Sequence, residues 1–228
     1  MKGIFYAVGV GPGDPELMTI KAVKTIEKCS VIAVPASGAA SNAALAIAGE
    51  HAKGKIILEC DMPMTRDQKV LDSCHDKSAA EIAGYLDKGM DVAFLTIGDP
   101  SVYSTVMYIH RRLGNAGYET RMIPGVTSFC GAAASLNVSL CEKDEELHVI
   151  PASYPGAMDD LGSGTLVLMK SGKSIMKVKD QLAGRKAMMV ECATMENEKI
   201  YRDLDELKEP SGYFSLIIVP DKGRNGGN

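Results

Sequence analysis

Residues 6–17, Tyr-Ala-Val-Gly-Val-Gly-Pro-Gly-Asp-Pro-Glu-Leu, set three glycines, an aspartate and a proline directly after an apolar run. Glycine loops in that place commonly cradle phosphate, and the dinucleotide fingerprint spaces its glycines G-x-G-x-x-G ahead of a helix. Here single residues separate Gly9, Gly11 and Gly13, and Asp14-Pro15 follows at once. Asp14 sits where the helix end would greet an anion and can cap those amides itself. Pro15 has no amide to offer, although it suits a first helical turn. The Gly-Lys-Ser/Thr ending of a nucleotide-triphosphate loop is absent. A ligand without phosphates is therefore the better match.

Residues 96–105, Thr-Ile-Gly-Asp-Pro-Ser-Val-Tyr-Ser-Thr, repeat Gly-Asp-Pro after a second apolar run. Asp99 then lies at the C-terminal edge of a strand, where open α/β sheets bind ligands. Its carboxylate can accept from a ribose or an amine, or offset a positive charge. Glycine, aspartate and proline are also ordinary turn residues, so both loops read equally as capped turns. No His-Asp or Cys-His arrangement stands out, and no general base can be named.

Composition narrows the classes. Within 228 residues, 46% hydrophobic content is enough for ordinary buried cores, in one large domain or two small ones. No apolar stretch reaches the roughly 18 residues that a membrane-spanning helix needs. The run after Lys2 breaks at Gly11-Pro12-Gly13 and reads as a first strand rather than as a leader. Six cysteines and four histidines are scattered without zinc-like spacing, so no protein-bound metal is expected and the thiols suit a reducing cytoplasm. A net charge of −4, no tryptophan and 5% aromatics lack the basic footprint and stacking platforms of nucleic-acid binders.

The elements that must position these loops alternate in type. Residues 3–10, 30–35, 55–60 and 91–98 read as strands, and residues 16–29, 43–50 and 68–88 as helices, with a further helix from Val106 ended by Gly114 and Gly117. In the first helix Leu17, Ile20, Val23, Lys24 and Ile26 lie near one face. Strand–helix–strand units of this kind imply a parallel sheet. Arg111 and Arg112, near a helix end, are placed to meet its dipole. Beyond Pro124-Gly125 comes a small-residue helix and then strands over 147–152, 165–170, 187–192 and 213–219, in a mixed or antiparallel arrangement. The expected division is an N-terminal α/β domain over 1–116 and a C-terminal one over 117–228, with the ligand in a cleft between them. The polar, glycine-rich stretch 221–228 reads as a mobile tail.

Taken together, the opening Val8–Val23 segment, residues 31–38, Gly98–Thr105, Pro124–Ser128 and Leu166–Gly172 closely resemble the tetrapyrrole methylase family along almost the whole chain. The narrower stretches 62–67, 94–105, 123–129 and 213–219 resemble the branch that methylates precorrin-2, or its cobalt complex, at C-20. The resemblance implies S-adenosylmethionine (SAM) as cofactor, S-adenosylhomocysteine as product, a tetrapyrrole as substrate and a homodimer. SAM has no phosphate, in keeping with the loop chemistry.

Carried over by position, Pro12 belongs to the loop facing the cofactor, and Gly98, Asp99 and Val102 to its methionine and ribose side. Thr127 and Ser128 add polar contacts, and Met169 and Ala193 line the adenine pocket. Met169 by itself reads as core filler, and many relatives have glycine near Ala193. The substrate's carboxylates call for a local basic lining, for which Arg66 is the candidate, with Ser37 as a hydrogen-bond partner. Arg66 also reads as a solvated loop charge and Ser37 as a turn residue. Met62 and Met64 could form a pliable apolar rim, with core packing as the default. The glycine loop taken alone leaves a dinucleotide oxidoreductase open, and the same fold could serve another methyl acceptor or act as a sensor without turnover.

Overall fold

The computed structural model describes residues 1–36, 39–63, 65–154, 156–158, 162–212 and 214–221. Ser37, Met64 and nearly all of the expected tail therefore lie outside the described residues. The chain divides into two compact α/β units, Met1–Thr127 and Ser128–Asn228.

The first unit is built on five strands, β1 (Phe5–Gly9), β2 (Val31–Pro35), β3 (Ile56–Cys60), β4 (Val92–Thr96) and β5 (Thr120–Ile123). They pair in the order β3-β2-β4-β1-β5, and every pairing is parallel. Central strands covered on both faces must be apolar throughout, and β1 and β4 obey this with Phe5–Val8 and Val92–Leu95 all buried. Because side chains alternate between faces, Tyr6, Val8, Ile32, Val34, Ala93 and Leu95 pack against α1 (Ile20–Lys28) and α2 (Ala39–Ala48). Phe5, Ala7, Val31, Ala33, Val92 and Phe94 pack on the opposite side against α3 (Gln68–Leu86) and α4 (Val106–Asn115). The result is a sheet held between two helical layers.

Local signals set the helix limits. The expected helix over 16–29 is two elements, a 3₁₀ turn at Pro15–Leu17 and α1, because the Thr19 hydroxyl caps α1 by accepting from the Ala22 amide at 3.1 Å. That shift rotates the buried face to Ala22, Thr25 and Ile26 and leaves Ile20 74% exposed, against the sequence expectation. Asp67 caps α3 through the Lys69 and Val70 amides. Arg112 stands in the last turn of α4, as expected, and does more than meet its dipole. Its guanidinium also donates to Asp76 at 2.6 Å and Asp72 at 2.7 Å, tying α4 to α3. Met62 takes the default core role, buried beneath α3, rather than the alternative rim.

The second unit holds α5 (Ser128–Leu136), β6 (Leu147–Pro151), β7 (Thr165–Met169), α6 (Ile175–Gln181), β8 (Met188–Glu191), β9 (Lys199–Tyr201) and β10 (Ser215–Val219). Its sheet runs β6-β7-β10-β8-β9, with β6 and β7 parallel and every other pair antiparallel. The mixed sheet expected for this half is present. Its faces are covered by α5 on one side, through Ala132, Ala133 and Leu136, and by α6 on the other, through Ile175, Val178 and Leu182. The short helix α6 and the edge strands β5 and β9 were not anticipated. A boundary at 116/117 would cut β5 away from β1, the strand it pairs with among the described residues, whereas the compact units divide after Thr127.

The corrected face of α1 is open to test. Replacing Ile26 with Ala should cost about 2–5 kcal/mol in urea unfolding, the usual range for a buried large-to-small change. Ile20→Ala should stay within about 0.5 kcal/mol.

Candidate functional site

Three loops leave the C-terminal ends of the adjacent strands β4, β1 and β5, and they meet through their backbones. Gly98 donates its amide to the Gly11 carbonyl at 2.7 Å, in an isolated antiparallel bridge. A Cβ on Gly9 would lie 2.5 Å from the Gly98 carbonyl oxygen and 2.8 Å from the Gly125 nitrogen. A Cβ on Gly125 would collide with the same Gly98 oxygen. Gly9, Gly98 and Gly125 therefore serve close approach of loop to loop, while positive φ values of 82° at Gly11 and 72° at Gly98 shape the turns between.

Polar side chains reinforce the contact. Asp99 accepts from the Ser101 amide at 2.8 Å and its hydroxyl at 2.5 Å on Oδ1, and from the Gly125 amide at 3.0 Å on Oδ2. A carboxylate has about four acceptor positions, so Asp99 braces the loops and keeps about one position, on Oδ2, for a ligand. Thr19 donates to the Pro124 carbonyl at 3.1 Å, which joins the start of α1 to the loop after β5. Asp14 accepts from the Glu16 amide at 2.8 Å, so the capping role read from sequence is present and the first turn has little left for a phosphate.

The structure brings together Pro12, Gly98, Asp99 and Val102, whose loops share this contact, with Thr127 just past Gly125. Pro12 and Gly98 are buried, and Asp99 and Val102 are half-buried. Thr127 carries a buried hydroxyl that has no protein partner. An unpartnered buried hydroxyl is costly unless a ligand or water completes it.

Within the second unit, β7 and β8 both run antiparallel to β10, so their C-terminal ends share one sheet edge. Met169 ends β7 and packs half-buried against the α5-facing core. Ala193 follows β8 and is buried in that core at 5% exposure. Ser128 begins α5. Sequence reasoning missed Ser171, just after Met169, whose buried hydroxyl also lacks a protein partner. It missed Tyr103 as well, exposed in the loop after β4 with φ at +49°, an uncommon conformation for a bulky residue. A left-handed residue other than glycine or asparagine leaves little trace in a sequence, and a lone serine leaves none.

Arg66 is exposed on the approach to α3. Among the described residues no cluster of three or more His, Cys, Asp or Glu is placed to hold a metal ion. Burial pushes the Cys29 and Cys60 thiols up to about 12, which suppresses thiolate chemistry at both. Burial also pulls His75 and His110 below the ordinary histidine range, and both serve packing, His75 stacked on Tyr108 and His110 edge-on to Phe5. No helix among the described residues is long and apolar enough to cross a membrane.

A sequence profile of the tetrapyrrole (corrin/porphyrin) methylases matches residues 5–208. The chain belongs to the tetrapyrrole methylase family. Among its methylase relatives, precorrin-2 C(20)-methyltransferase of Sinorhizobium is 32% identical over 96% of this chain and 95% of its own length. The probable cobalt-precorrin-2 C(20)-methyltransferase of Methanocaldococcus jannaschii is 33% identical, with 94% of each chain covered. The cobalt-precorrin-2 C(20)-methyltransferase of Salmonella typhimurium is 30% identical over 96% of this chain and 97% of its own. The methylase fold recurs in the crystal structure of a cobalt precorrin-4 methyltransferase, with a TM-score of 0.70 at 22% identity over 95% and 94% of the two chains. It recurs also in uroporphyrin-III C-methyltransferase of Thermus thermophilus, with a TM-score of 0.71 at 22% identity over 97% and 93%.

The loop contact yields a paired prediction. Gly125→Ala should lower stability by about 1–3 kcal/mol, as overpacking does, in chemical unfolding. Gly84→Ala, at a helical position where an added Cβ meets nothing within 4 Å, should raise it by about 0.5–1 kcal/mol.

Proposed function

We propose that this chain is a SAM-dependent C-methyltransferase that methylates the C-20 meso carbon of precorrin-2 or cobalt-precorrin-2 in cobalamin biosynthesis. The observation that carries this reading is the full-length similarity to enzymes of that name, each at 30% identity or more. When bound, SAM supplies a methyl group on a sulfonium already activated for displacement. Any cobalt belongs to the substrate.

The residues present fit such a cofactor. The glycine loop spends its capacity on loop contacts and on the Asp14 cap, which suits a ligand without phosphates. Asp99 keeps an acceptor position for a hydroxyl or an amine, and the Thr127 hydroxyl lacks the partner that a polar ligand would supply. In this reading Pro12, Gly98, Asp99, Val102, Thr127, Ser128, Met169 and Ala193 contact SAM. Arg66, with Ser37, meets the acetate and propionate groups of the ring.

The work asked of these residues is alignment. An in-line displacement gains about 7–11 kcal/mol when its two partners are held in reacting geometry, and loops packed backbone to backbone and braced by Asp99 suit that task. No side chain is assigned as the base for the proton lost from C-20 after attack; solvent or a substrate group can take it. We further infer a cytoplasmic homodimer that binds neither nucleic acid nor membrane, an assembly that light scattering checks directly.

Anaerobic incubation with methyl-labelled SAM and precorrin-2, with and without cobalt, should add one methyl group by mass spectrometry, located at C-20 by NMR. Normal SAM binding without transfer to either ring form would reject the acceptor. Asp99→Ala should weaken S-adenosylhomocysteine binding at least tenfold in calorimetry, and unchanged affinity would remove Asp99 from the site. Arg66→Ala should raise KM for the ring severalfold while the cofactor affinity stays constant.

A further inference from the structure

The hairpin between β8 and β9 carries a strained turn and one carboxylate that braces it. Cys192 and Thr194, on either side of Ala193, hold left-handed backbone with φ values of +53° and +64°. For a β-branched residue such as Thr194 this conformation is an outlier, kept only where the surroundings enforce it. Two bonds fix the ends of the turn, Cys192 donating to the Phe214 carbonyl at 2.9 Å and Met195 to the Cys192 carbonyl at 2.9 Å.

Glu198 closes the same hairpin one residue before β9 begins. A single oxygen of its half-buried carboxylate, Oε2, accepts from the Thr194 amide at 2.5 Å and from the Ser135 hydroxyl at 2.6 Å. The first bond is charge-assisted and falls on the residue whose backbone is strained. The second ties the turn to α5, whose far end is held by Arg202 donating to the Leu136 carbonyl at 3.1 Å. Glu198 thus joins the turn that contains Ala193 to the helix that begins at Ser128.

We propose that Glu198 is a positioning residue for the adenosine end of the cofactor. It holds the Cys192–Thr194 turn in the one backbone shape that presents the amide and carbonyl of Ala193 to the base. This rests on the reading of Ala193 as a cofactor contact. The logic follows from packing: Ala193 lies in the α5-facing core, so the direction of its backbone amide and carbonyl is what the shape of the turn controls. Losing the carboxylate lets Thr194 relax toward ordinary φ and turns those groups away.

The test compares the wild-type protein with Glu198→Gln, Glu198→Ala, Thr194→Gly and the Glu198→Ala/Thr194→Gly pair. Affinity for S-adenosylhomocysteine is read by calorimetry and thermal unfolding in parallel. Glu198→Ala should weaken binding at least tenfold, while Glu198→Gln, which keeps an acceptor oxygen, should stay within about threefold. Thr194→Gly should bind like wild type. The double variant should recover most of the lost affinity, because glycine takes left-handed backbone unaided, even though its unfolding temperature stays low. A fall in unfolding temperature for Glu198→Ala with affinity within twofold of wild type would overturn the proposal and leave the cofactor reading standing. Equal losses in Glu198→Ala and the double variant would also overturn it, since strain at Thr194 would not be what the carboxylate offsets. Wild-type protein that takes no S-adenosylhomocysteine would overturn both.

Discussion

The backbone contact among Gly9, Gly98 and Gly125 is the constraint on which the first unit's site depends. Parallel strands place their C-terminal loops along one edge of the sheet, but adjacency alone leaves such loops free to drift. Here the strands continue their close approach beyond the sheet, and a side chain at Gly9 or Gly125 would force the loops apart. Asp99 and Thr19 then pin the loop after β5 from two directions, one through the Gly125 amide and the other through the Pro124 carbonyl. The glycines that suggest a phosphate cradle thus act on the protein itself, holding one loop against the next.

The second unit solves a similar problem by other means. Its sheet is mixed, its loops are longer, and the residues that matter are held by strain and by side-chain clamps. Two left-handed residues flank Ala193, and Lys170, directly after Met169, is left-handed as well with φ at +57°. Such backbone is unfavourable on its own and persists where neighbouring contacts over-determine it.

Much of this was legible before the structure. The apolar runs of β1, β2 and β4 announce strands buried on both faces, and Asp14-Pro15 announces a capped turn. The α/β class and the mixed second sheet followed from the same patterns. The edge strands β5 and β9 were not legible, because Thr120–Ile123 and Lys199–Tyr201 are short and mostly exposed, so they lack the apolar continuity that marks central strands. The face of α1 was misplaced because Thr19 starts the helix later than the periodicity alone implies. The position of Asp99 at a strand end is legible, but its service to Gly125 depends on a partner 26 residues away that no local pattern reveals. Glu198 is hidden for the same reason, since its partner Ser135 lies 63 residues earlier.

Arg112 sets a phase. Asp72 and Asp76 stand one helical turn apart on α3, and the planar guanidinium engages both at once. Sliding α4 along α3 by one turn, about 5.4 Å, would leave one of the two acids without its partner, so the fork works as an indexing pin that accepts a single notch. A lysine, a point charge on a flexible stem, would tolerate neighbouring notches. Because α4 begins at Val106, directly after the loop that carries Asp99 and Tyr103, the notch chosen on the far face of the sheet fixes where that loop must end.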